Sequence, residues 1–148
     1  MRTSWVEYFL GIAKRASEQS TCLRRHYGCV LVRDKTIISI GYNGSPRGCK
    51  HCSEIGCARE GLPSGEKPEL CRATHAEQNA IANAARIGIS TKDSELYLYP
   101  EDLICPLCAK IIINAGVTKV FYKSTGYPGA NLSDAMLKES GVILVRLF

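Results

Sequence analysis

Hydrophobic and polar positions along the chain follow a helical period at the N-terminus and a strand-like period directly after it. Within residues 1–16, one face of a helix would collect the larger apolar side chains, namely Trp5, Tyr8, Phe9, Ile12 and Ala16. Residues 28–34 and 35–43 are then two runs rich in β-branched side chains, which meet at Asp34 and Lys35. This pattern predicts an amphipathic helix followed by a β-hairpin.

The second half of the chain alternates between helical and strand-like periods. The predicted elements, in the order helix then strand three times over, occupy residues 74–88, 95–99, 105–116, 119–123, 131–141 and 142–148. Such alternation after an initial hairpin predicts an α/β fold with a mixed sheet, whose later strands are parallel and covered by helices. Thr74 and Glu77 have the spacing of a capping box, so we expect the first of these helices to begin at Thr74 and to end at Gly88.

Residues 44–74 are the longest stretch without periodicity, and they are rich in Gly, Pro, Cys and charged residues. A loop of that length inside a compact domain is usually functional. It contains four cysteines, which could order it around a metal ion in place of an apolar core. A chain of 148 residues suits a single domain. We therefore predict one domain over residues 1–148, with a zinc-binding loop insertion around residues 44–74.

The net charge of +5 favours anionic ligands such as nucleotides, but Lys and Arg are too scattered to indicate polynucleotide binding. No apolar run approaches the roughly 18 residues of a membrane span. Glu7 interrupts the N-terminal apolar stretch and no small-residue cleavage site follows, so we expect neither a signal peptide nor a membrane span. We expect a cytoplasmic protein, in which eight cysteines indicate metal ligation or catalysis in preference to disulfides.

Two short motifs supply a candidate catalytic metal site. The sequence HAE occupies residues 75–77, CPLC occupies residues 105–108, and each opens a predicted helix. Cysteines three residues apart on a helix can face one point, and the helix dipole favours thiolate over thiol at the N-terminus. If the two helix starts are neighbours, His75, Cys105 and Cys108 provide one nitrogen and two sulfurs. That is the ligand set of a catalytic zinc with a fourth position open.

Glu77 is not needed as a ligand in this set, so it is available to transfer protons beside the metal. Zinc lowers the pKa of its water to about 7, and Glu77 would pass the proton to a ring nitrogen and then to the leaving amine. The H-x-E and C-x-x-C signature is that of zinc nucleobase deaminases. Alone, CPLC also fits a redox pair or half of a structural zinc site; the order and placement of both motifs favour a deaminase.

The chain contains three distinctive stretches, GYNGSP (41–46), CRATHAEQNAI (71–81) and CPLCAKIIINAGV (105–117). They resemble the deoxycytidylate (dCMP) deaminase family, within the cytidine deaminase superfamily, and the resemblance extends over nearly the whole chain. It implies a three-layer α/β/α fold around a five-stranded mixed sheet, and hydrolysis of dCMP to dUMP and ammonia. It also implies a homo-oligomer, in many members a hexamer, that is regulated by dCTP and dTTP.

The resemblance also implies several substrate contacts. Asn43 matches an asparagine that contacts the sugar-phosphate portion, the backbone at Ala76 would meet the pyrimidine carbonyl, and Tyr127 lies where many members place an aromatic ring. Arg25 and its neighbour Arg24 are candidate phosphate or effector contacts by charge, or else a solvated surface pair. The chain departs from the family just before Cys105, where Ile104 replaces the usual proline.

A second, structural zinc is bound by some members of the family at places that match cysteines of this chain. The four ligands here would be Cys22, Cys52, Cys57 and Cys71, a closed tetrahedral set. Cys49 and His51 are the nearest competitors for a ligand position, and a set of free thiols is the alternative. Cys29 lies in an apolar strand, so we expect it in the core.

Two other functions remain open from the sequence. A nucleobase or tRNA deaminase of the same superfamily would usually carry Cys-Ala-Gly at the second motif, where this chain has Ala109 and Lys110 after Cys108. A non-catalytic zinc-binding interaction protein would have no need of a glutamate at position 77.

Overall fold

The structure, a computed structural model, describes residues 1–100, 104–122 and 130–147. Along the chain its elements are α1 (Trp5–Ser17), β1 (Gly28–Arg33), β2 (Thr36–Tyr42), α2 (Cys52–Ile55), a 3₁₀ turn (Pro68–Leu70), α3 (Ala76–Ile87), β3 (Glu95–Tyr99), α4 (Pro106–Asn114), β4 (Lys119–Tyr122), α5 (Ala130–Glu139) and β5 (Ile143–Arg146). The predicted order of helices and strands is confirmed, with two short helical turns added inside the loop of residues 44–74.

The five strands form one mixed sheet in the order β2-β1-β3-β4-β5. β1 is antiparallel to both β2 and β3, whereas β3, β4 and β5 run parallel to one another. Asp34 and Lys35 join β1 to β2 with φ angles of 52° and 60°. Positive φ at both central residues gives the tight turn that matches the twist of a hairpin. The predicted hairpin and the parallel second half are thus both confirmed.

Helices cover both faces of the sheet, which gives the predicted three layers. One face packs against α1 through a cluster of buried residues that comprises Phe9, Ala13, Val30, Val32, Tyr97 and Phe121. The opposite face packs against α3, α4 and α5, and its buried residues include Cys29, Leu31, Ala80, Leu96, Leu98, Ile112, Val120 and Leu137. Cys29 is therefore a core residue, as predicted. No helix in the described ranges is both long and apolar enough to cross a membrane.

The buried face of α1 differs from the predicted one. Phe9 and Ala13 are fully buried, but Trp5 and Tyr8 keep 37% and 49% of their surface exposed. The sheet contacts only a narrow stripe of α1. Trp5 and Tyr8 therefore pack beside Phe9 and not between the helix and the sheet. Trp5 stacks on Phe9 with ring centroids 5.6 Å apart.

Helix α3 lies unusually close to β2. A Cβ atom built on Gly41 would come within 2.3 Å of the backbone nitrogen of Ala80, so only glycine permits this approach. The Ser39 hydroxyl donates to the Ala80 carbonyl at 2.6 Å. The Asn79 and Asn83 side-chain amides donate to β2 carbonyls at 2.7 and 2.8 Å. These contacts fix where α3 begins and which way its first turn points.

The start of α3 was predicted one residue too early. Thr74 is extended, and its backbone exchanges two hydrogen bonds with Gly44, at 2.8 and 3.1 Å. The N-cap is His75, whose N–H donates to the Gln78 side chain at 3.0 Å. The predicted capping box of Thr74 with Glu77 is therefore wrong, because Thr74 pairs across the loop. The end of the helix is confirmed, since Gly88 is left-handed with φ 85°.

Candidate active site

The N-termini of α3 and α4 meet, and they bring His75, Cys105 and Cys108 together. The Nδ1 atom of His75 lies 3.3 Å from the Cys108 Sγ and 3.5 Å from the Cys105 Sγ. Their donor atoms all lie within 4.8 Å of one another, and among the described residues no other group of three or more potential metal ligands is this close. His75 and Cys105 are the N-cap residues of their helices, so both side chains point past the helix ends into the same space.

The donor set fits a zinc ion. One imidazole nitrogen and two thiolates around a tetrahedral zinc would lie about 3.5–3.8 Å apart, given typical Zn–N and Zn–S bonds of about 2.1 and 2.3 Å. The observed separations are close to this spacing. Three protein ligands also leave one coordination position for water or substrate, as in catalytic zinc sites.

The two thiols differ in acidity. The pKa of Cys105 is lowered to about 4, because its sulfur accepts hydrogen bonds from the Cys108 side chain and from His75. The backbone N–H of Cys108 also points at that sulfur, at 3.4 Å. The pKa of His75 is raised in turn by its hydrogen bond to Cys105. Cys105 is thus a thiolate at neutral pH, the form that binds metals.

Glu77 lies in the first turn of α3 and is 5% exposed. Burial raises the pKa of its carboxyl above the usual range, although the neighbouring His75 opposes that shift. Its Oε2 atom accepts from the Cys108 Sγ at 3.7 Å. A buried carboxyl with a raised pKa holds a proton more readily than a solvated one, which suits a group that accepts and donates a proton beside the ligand set.

The candidate site opens into a cavity with a strongly positive wall. His75, Ala76, Glu77 and Cys105 are part of its lining. The lining also includes four arginines, Arg24, Arg25, Arg59 and Arg72. Among the described residues that line this cavity, Glu77 is the acidic one. An anion would therefore be attracted to the cavity.

Two of the four arginines hold the cavity wall in shape. Arg24 donates to the carbonyls of Arg59 and Leu62 at 3.1 and 2.8 Å. Arg59 donates to the carbonyls of Glu66 and Pro63, both at 3.0 Å. The loop that follows Cys57 is thus ordered around guanidinium groups. Side chains of this kind satisfy backbone carbonyls that lie outside regular secondary structure.

Arg25 and Asn43 also make contacts within the protein. Arg25 donates to the Tyr27 hydroxyl at 3.3 Å and to the Ser64 hydroxyl at 3.1 Å. Asn43 is buried and accepts from the Tyr27 N–H at 2.8 Å, while its amide group donates to the Arg25 carbonyl at 2.9 Å. An amide can make four hydrogen bonds, so Asn43 keeps capacity for a ligand.

Ala76 and Tyr127 complete the predicted substrate contacts. Ala76 is the first residue of α3 and lines the cavity, and the first N–H groups of a helix have no partner inside that helix. A carbonyl of a bound ligand could accept from them. Tyr127 lies outside the described residues, as do residues 101–103 before the second motif. Ile104 is 2% exposed and belongs to the core, not to the lining of the cavity.

The four cysteines predicted to hold a second zinc line the same cavity, next to the arginines. They are Cys22, Cys52, Cys57 and Cys71. Burial raises the pKa of the Cys52 thiol, and the other three sulfurs are near enough to raise it further. Their donor atoms do not all lie within the 4.8 Å that separates the ligands of the first set. Cys49 and His51, the competing ligands, line a different cavity beside Asn79.

The fold and the ligand set place the chain in a known class of protein. A model of the cytidine and deoxycytidylate deaminase zinc-binding region matches residues 3–124. The chain therefore belongs to this family of zinc-binding deaminases, and the family resemblance seen in the sequence is confirmed.

Relatives within the family carry a more specific name. The chain is 37% identical to the deoxycytidylate deaminase of Schizosaccharomyces pombe, over 97% of this chain and 44% of the relative. It is 36% identical to that of Saccharomyces cerevisiae, over 100% of this chain and 46% of the relative. It thus spans less than half the length of these two relatives. A dCMP deaminase from cyanophage S-TIM5, solved in complex with dCMP and dUMP, is 29% identical with a TM-score of 0.79 and 99% of each chain covered.

The cavity-lining residues that sequence reasoning missed include Arg59, Ser64 and Arg72. Arg59 and Ser64 lie in the aperiodic loop, where no pattern indicates which side chains point inward. Arg72 stands between the two motif residues Cys71 and His75, and that position in the chain was a usable signal.

Proposed function

We propose that the chain is a zinc-dependent hydrolase that converts dCMP to dUMP and ammonia, in pyrimidine deoxynucleotide metabolism. One observation carries the proposal: His75, Cys105, Cys108 and the buried Glu77 lie together, and all of them except Cys108 line a cavity that four arginines also line. The first four residues suit deamination of a cytosine ring. The arginines suit a phosphate on the same molecule. The names of the relatives, and the dCMP and dUMP in the cyanophage protein, support the same substrate.

The chemistry divides between the metal and the chain. Zinc held by three ligands acts as a Lewis acid and makes hydroxide available near neutral pH. His75, Cys105 and Cys108 would hold the ion at the end of the cavity. The N–H groups at the start of α3, beginning with Ala76, would orient the pyrimidine by its carbonyl oxygen. Glu77 would take one proton from the attacking water and deliver it to the ring nitrogen. It would then take the remaining proton of the added hydroxyl group and give it to the amine, which leaves as ammonia when the C–N bond breaks and the carbonyl forms.

The positive wall favours a nucleotide over a nucleoside or a free base. Charge-assisted hydrogen bonds from Arg to phosphate are among the stronger ones in proteins, and donors placed for them are left unpaired when the phosphate is missing. We therefore propose that dCMP is a far better substrate than deoxycytidine. Arg25 and Asn43 would contribute to binding at this end of the substrate, and Tyr127 would lie near the ring.

Ammonia release from a panel of substrates tests this function. The zinc-loaded protein would be assayed with dCMP, CMP, deoxycytidine, cytosine and a tRNA anticodon stem-loop. We expect dCMP to give the highest kcat/KM. Equal kcat/KM for dCMP and deoxycytidine would contradict the nucleotide specificity. Turnover of the tRNA stem-loop alone would favour an RNA deaminase, and no turnover of any substrate would favour a zinc-binding interaction protein.

We also propose a second, structural zinc held by Cys22, Cys52, Cys57 and Cys71. Support comes from their shared cavity and from the backbone N–H of Arg24, which donates to the Cys22 sulfur at 3.4 Å. The Cys108 N–H makes the same kind of contact with Cys105 in the first site. A Cys₄ set would need its sulfurs to draw together around the ion. This zinc-binding insertion within one domain would order the loop of residues 44–74.

Assembly, regulation and location are further parts of the proposal. The resemblance supports a homo-oligomer, with a hexamer as the expected size, and dCTP and dTTP as effectors. Light scattering coupled to gel filtration measures the first, and dCMP saturation curves with added dCTP or dTTP measure the second. A cytoplasmic location is proposed because seven of the eight cysteines would be metal ligands or core thiols, which requires a reducing compartment.

A further inference from the structure

The four arginines of the cavity differ in what they already bind. Arg24 and Arg59 donate to loop carbonyls, and Arg25 donates to two hydroxyl groups. Arg72 is the exception. Its Nε atom is buried and has no hydrogen-bond partner. The two ion pairs found among the described residues, Arg15 with Glu18 and Lys119 with Glu95, leave Arg72 without an acidic partner there.

A buried guanidinium N–H without an acceptor is unfavourable, because the group has lost its water without gaining a protein partner. Such groups are uncommon in folded proteins, and those that occur need an explanation. Arg72 lines the cavity that holds the catalytic residues, so a ligand in that cavity is the available source of an acceptor.

The backbone around Arg72 is held firmly. The two hydrogen bonds between Thr74 and Gly44 fix the chain just before α3, and His75 then begins the helix. Arg72 is thus anchored three residues before a metal ligand, by the same strand-like segment. The backbone that carries this guanidinium is therefore fixed beside the cavity, and the planar donor fork of the side chain matches two oxygens of a phosphate.

We propose that Arg72 is the residue that selects a nucleoside 5′-monophosphate, by donating to its phosphate oxygens in the cavity. This inference rests on the proposed function and gives two of the cavity's arginines different roles. Arg72 contacts the substrate, whereas Arg24 shapes the loop that faces it. Both residues carry the same charge and line the same cavity, so their roles separate only by experiment.

The test compares Arg72→Met with Arg24→Met, which remove the same charge from the same cavity. In zinc-loaded Arg72→Met we expect kcat/KM for dCMP to fall about 10- to 100-fold, the usual effect of losing a hydrogen bond to a charged group. The ratio of kcat/KM for dCMP to that for deoxycytidine should fall with it. Arg24→Met should lower kcat/KM for dCMP and for deoxycytidine together, because it removes the bonds that hold the loop at the cavity. An unchanged ratio in Arg72→Met, or an equal loss of ratio in Arg24→Met, would overturn the assignment.

Two further measurements separate this inference from the proposed function. Arg72→Lys should fold, because it keeps the charge and most of the stem, and should recover only part of the ratio, because Lys is a point charge without the fork. Full recovery would overturn the two-oxygen contact.

Binding of dUMP, measured by calorimetry, needs no turnover. If dUMP binds Arg72→Met at least tenfold more weakly than it binds the wild-type protein, the site is supported even in an inactive protein. Equal dUMP affinity in both would overturn it.

Discussion

Gly41 of β2 lies directly against Ala76 of α3, and a Cβ atom at Gly41 would come within 2.4 Å of the Ala76 carbonyl oxygen. Gly41→Ala must therefore move the start of α3, which carries His75 and Glu77. We expect a loss of about 1–3 kcal/mol in the free energy of unfolding, and lower activity per zinc-loaded molecule. Urea unfolding and ammonia release measure the two effects.

Gly11→Ala is the matched control for this substitution. Nothing lies within 4 Å of a Cβ at Gly11, which is inside α1. Alanine is the better helix former, so this variant should gain about 0.5–1 kcal/mol and keep full activity. If Gly41→Ala matched it in stability and activity, the close approach of α3 to β2 would have no role in positioning the site.

Glu77→Gln should keep zinc and lose nearly all turnover. The ligand set is complete without Glu77, but glutamine cannot take a proton from water. General acid–base catalysis contributes about 10²–10⁴-fold, and Glu77 would serve several proton transfers, so we expect a loss at the upper end of that range. Metal analysis measures the zinc content, and steady-state kinetics measures the turnover. Cys108→Ser is the control, which should lose both zinc and turnover. Wild-type turnover by zinc-loaded Glu77→Gln would refute the catalytic role.

Purified protein should contain two zinc ions per chain if the second site exists. Cys52→Ser should reduce the content to one and loosen the loop of residues 44–74, detectable as faster amide hydrogen exchange there. Cys49→Ser is the control, because Cys49 is exposed and lines the other cavity. A single zinc in fully active wild-type protein would remove the second site, and loss of zinc from Cys49→Ser would reassign a ligand.

Asn43→Ala should destabilise the protein by about 1–3 kcal/mol, because it removes the bond from the Tyr27 N–H and the bond to the Arg25 carbonyl in a partly buried place. Asn83→Ala removes the bond to the Ile40 carbonyl and the bond from the Arg47 guanidinium, both in a setting that water can reach, and should cost less. If Asn43→Ala raised the KM for dCMP with no change in unfolding free energy, Asn43 would be a substrate contact alone.

Much of the fold was predictable because it depends on local chemistry. The hairpin follows from two strand-like runs around Asp34 and Lys35, and Gly88 ends α3 with the left-handed backbone that glycine adopts readily. The ligand set was also readable, since the C-x-x-C spacing and the helix starts are local. Only the meeting of His75 with the cysteines needed an assumption about neighbouring helices.

The remainder depends on contacts between distant parts of the chain. Thr74 has a side chain suited to an N-cap, but its backbone is hydrogen-bonded to Gly44 in a β-bridge across the loop. Trp5 has the hydrophobicity of a core residue, but the sheet reaches only as far as Phe9 and its neighbours. The sequence does not distinguish Arg24 from Arg72, because the role of an arginine depends on which hydrogen-bond acceptors the fold places beside its guanidinium group.

The bridge between Gly44 and Thr74 closes the loop of residues 44–74 at its base. The sheet does not depend on what lies above that closure, since β1 pairs with β3 through residues on either side of it. For a flexible loop, each doubling of length costs only about 0.6 kcal/mol in closure entropy. The segment of this loop that lines the cavity can therefore lengthen, shorten or change sequence in evolution while the N-terminal ends of α3 and α4 stay in place. A deaminase built in this way can acquire a new substrate preference without having to refold.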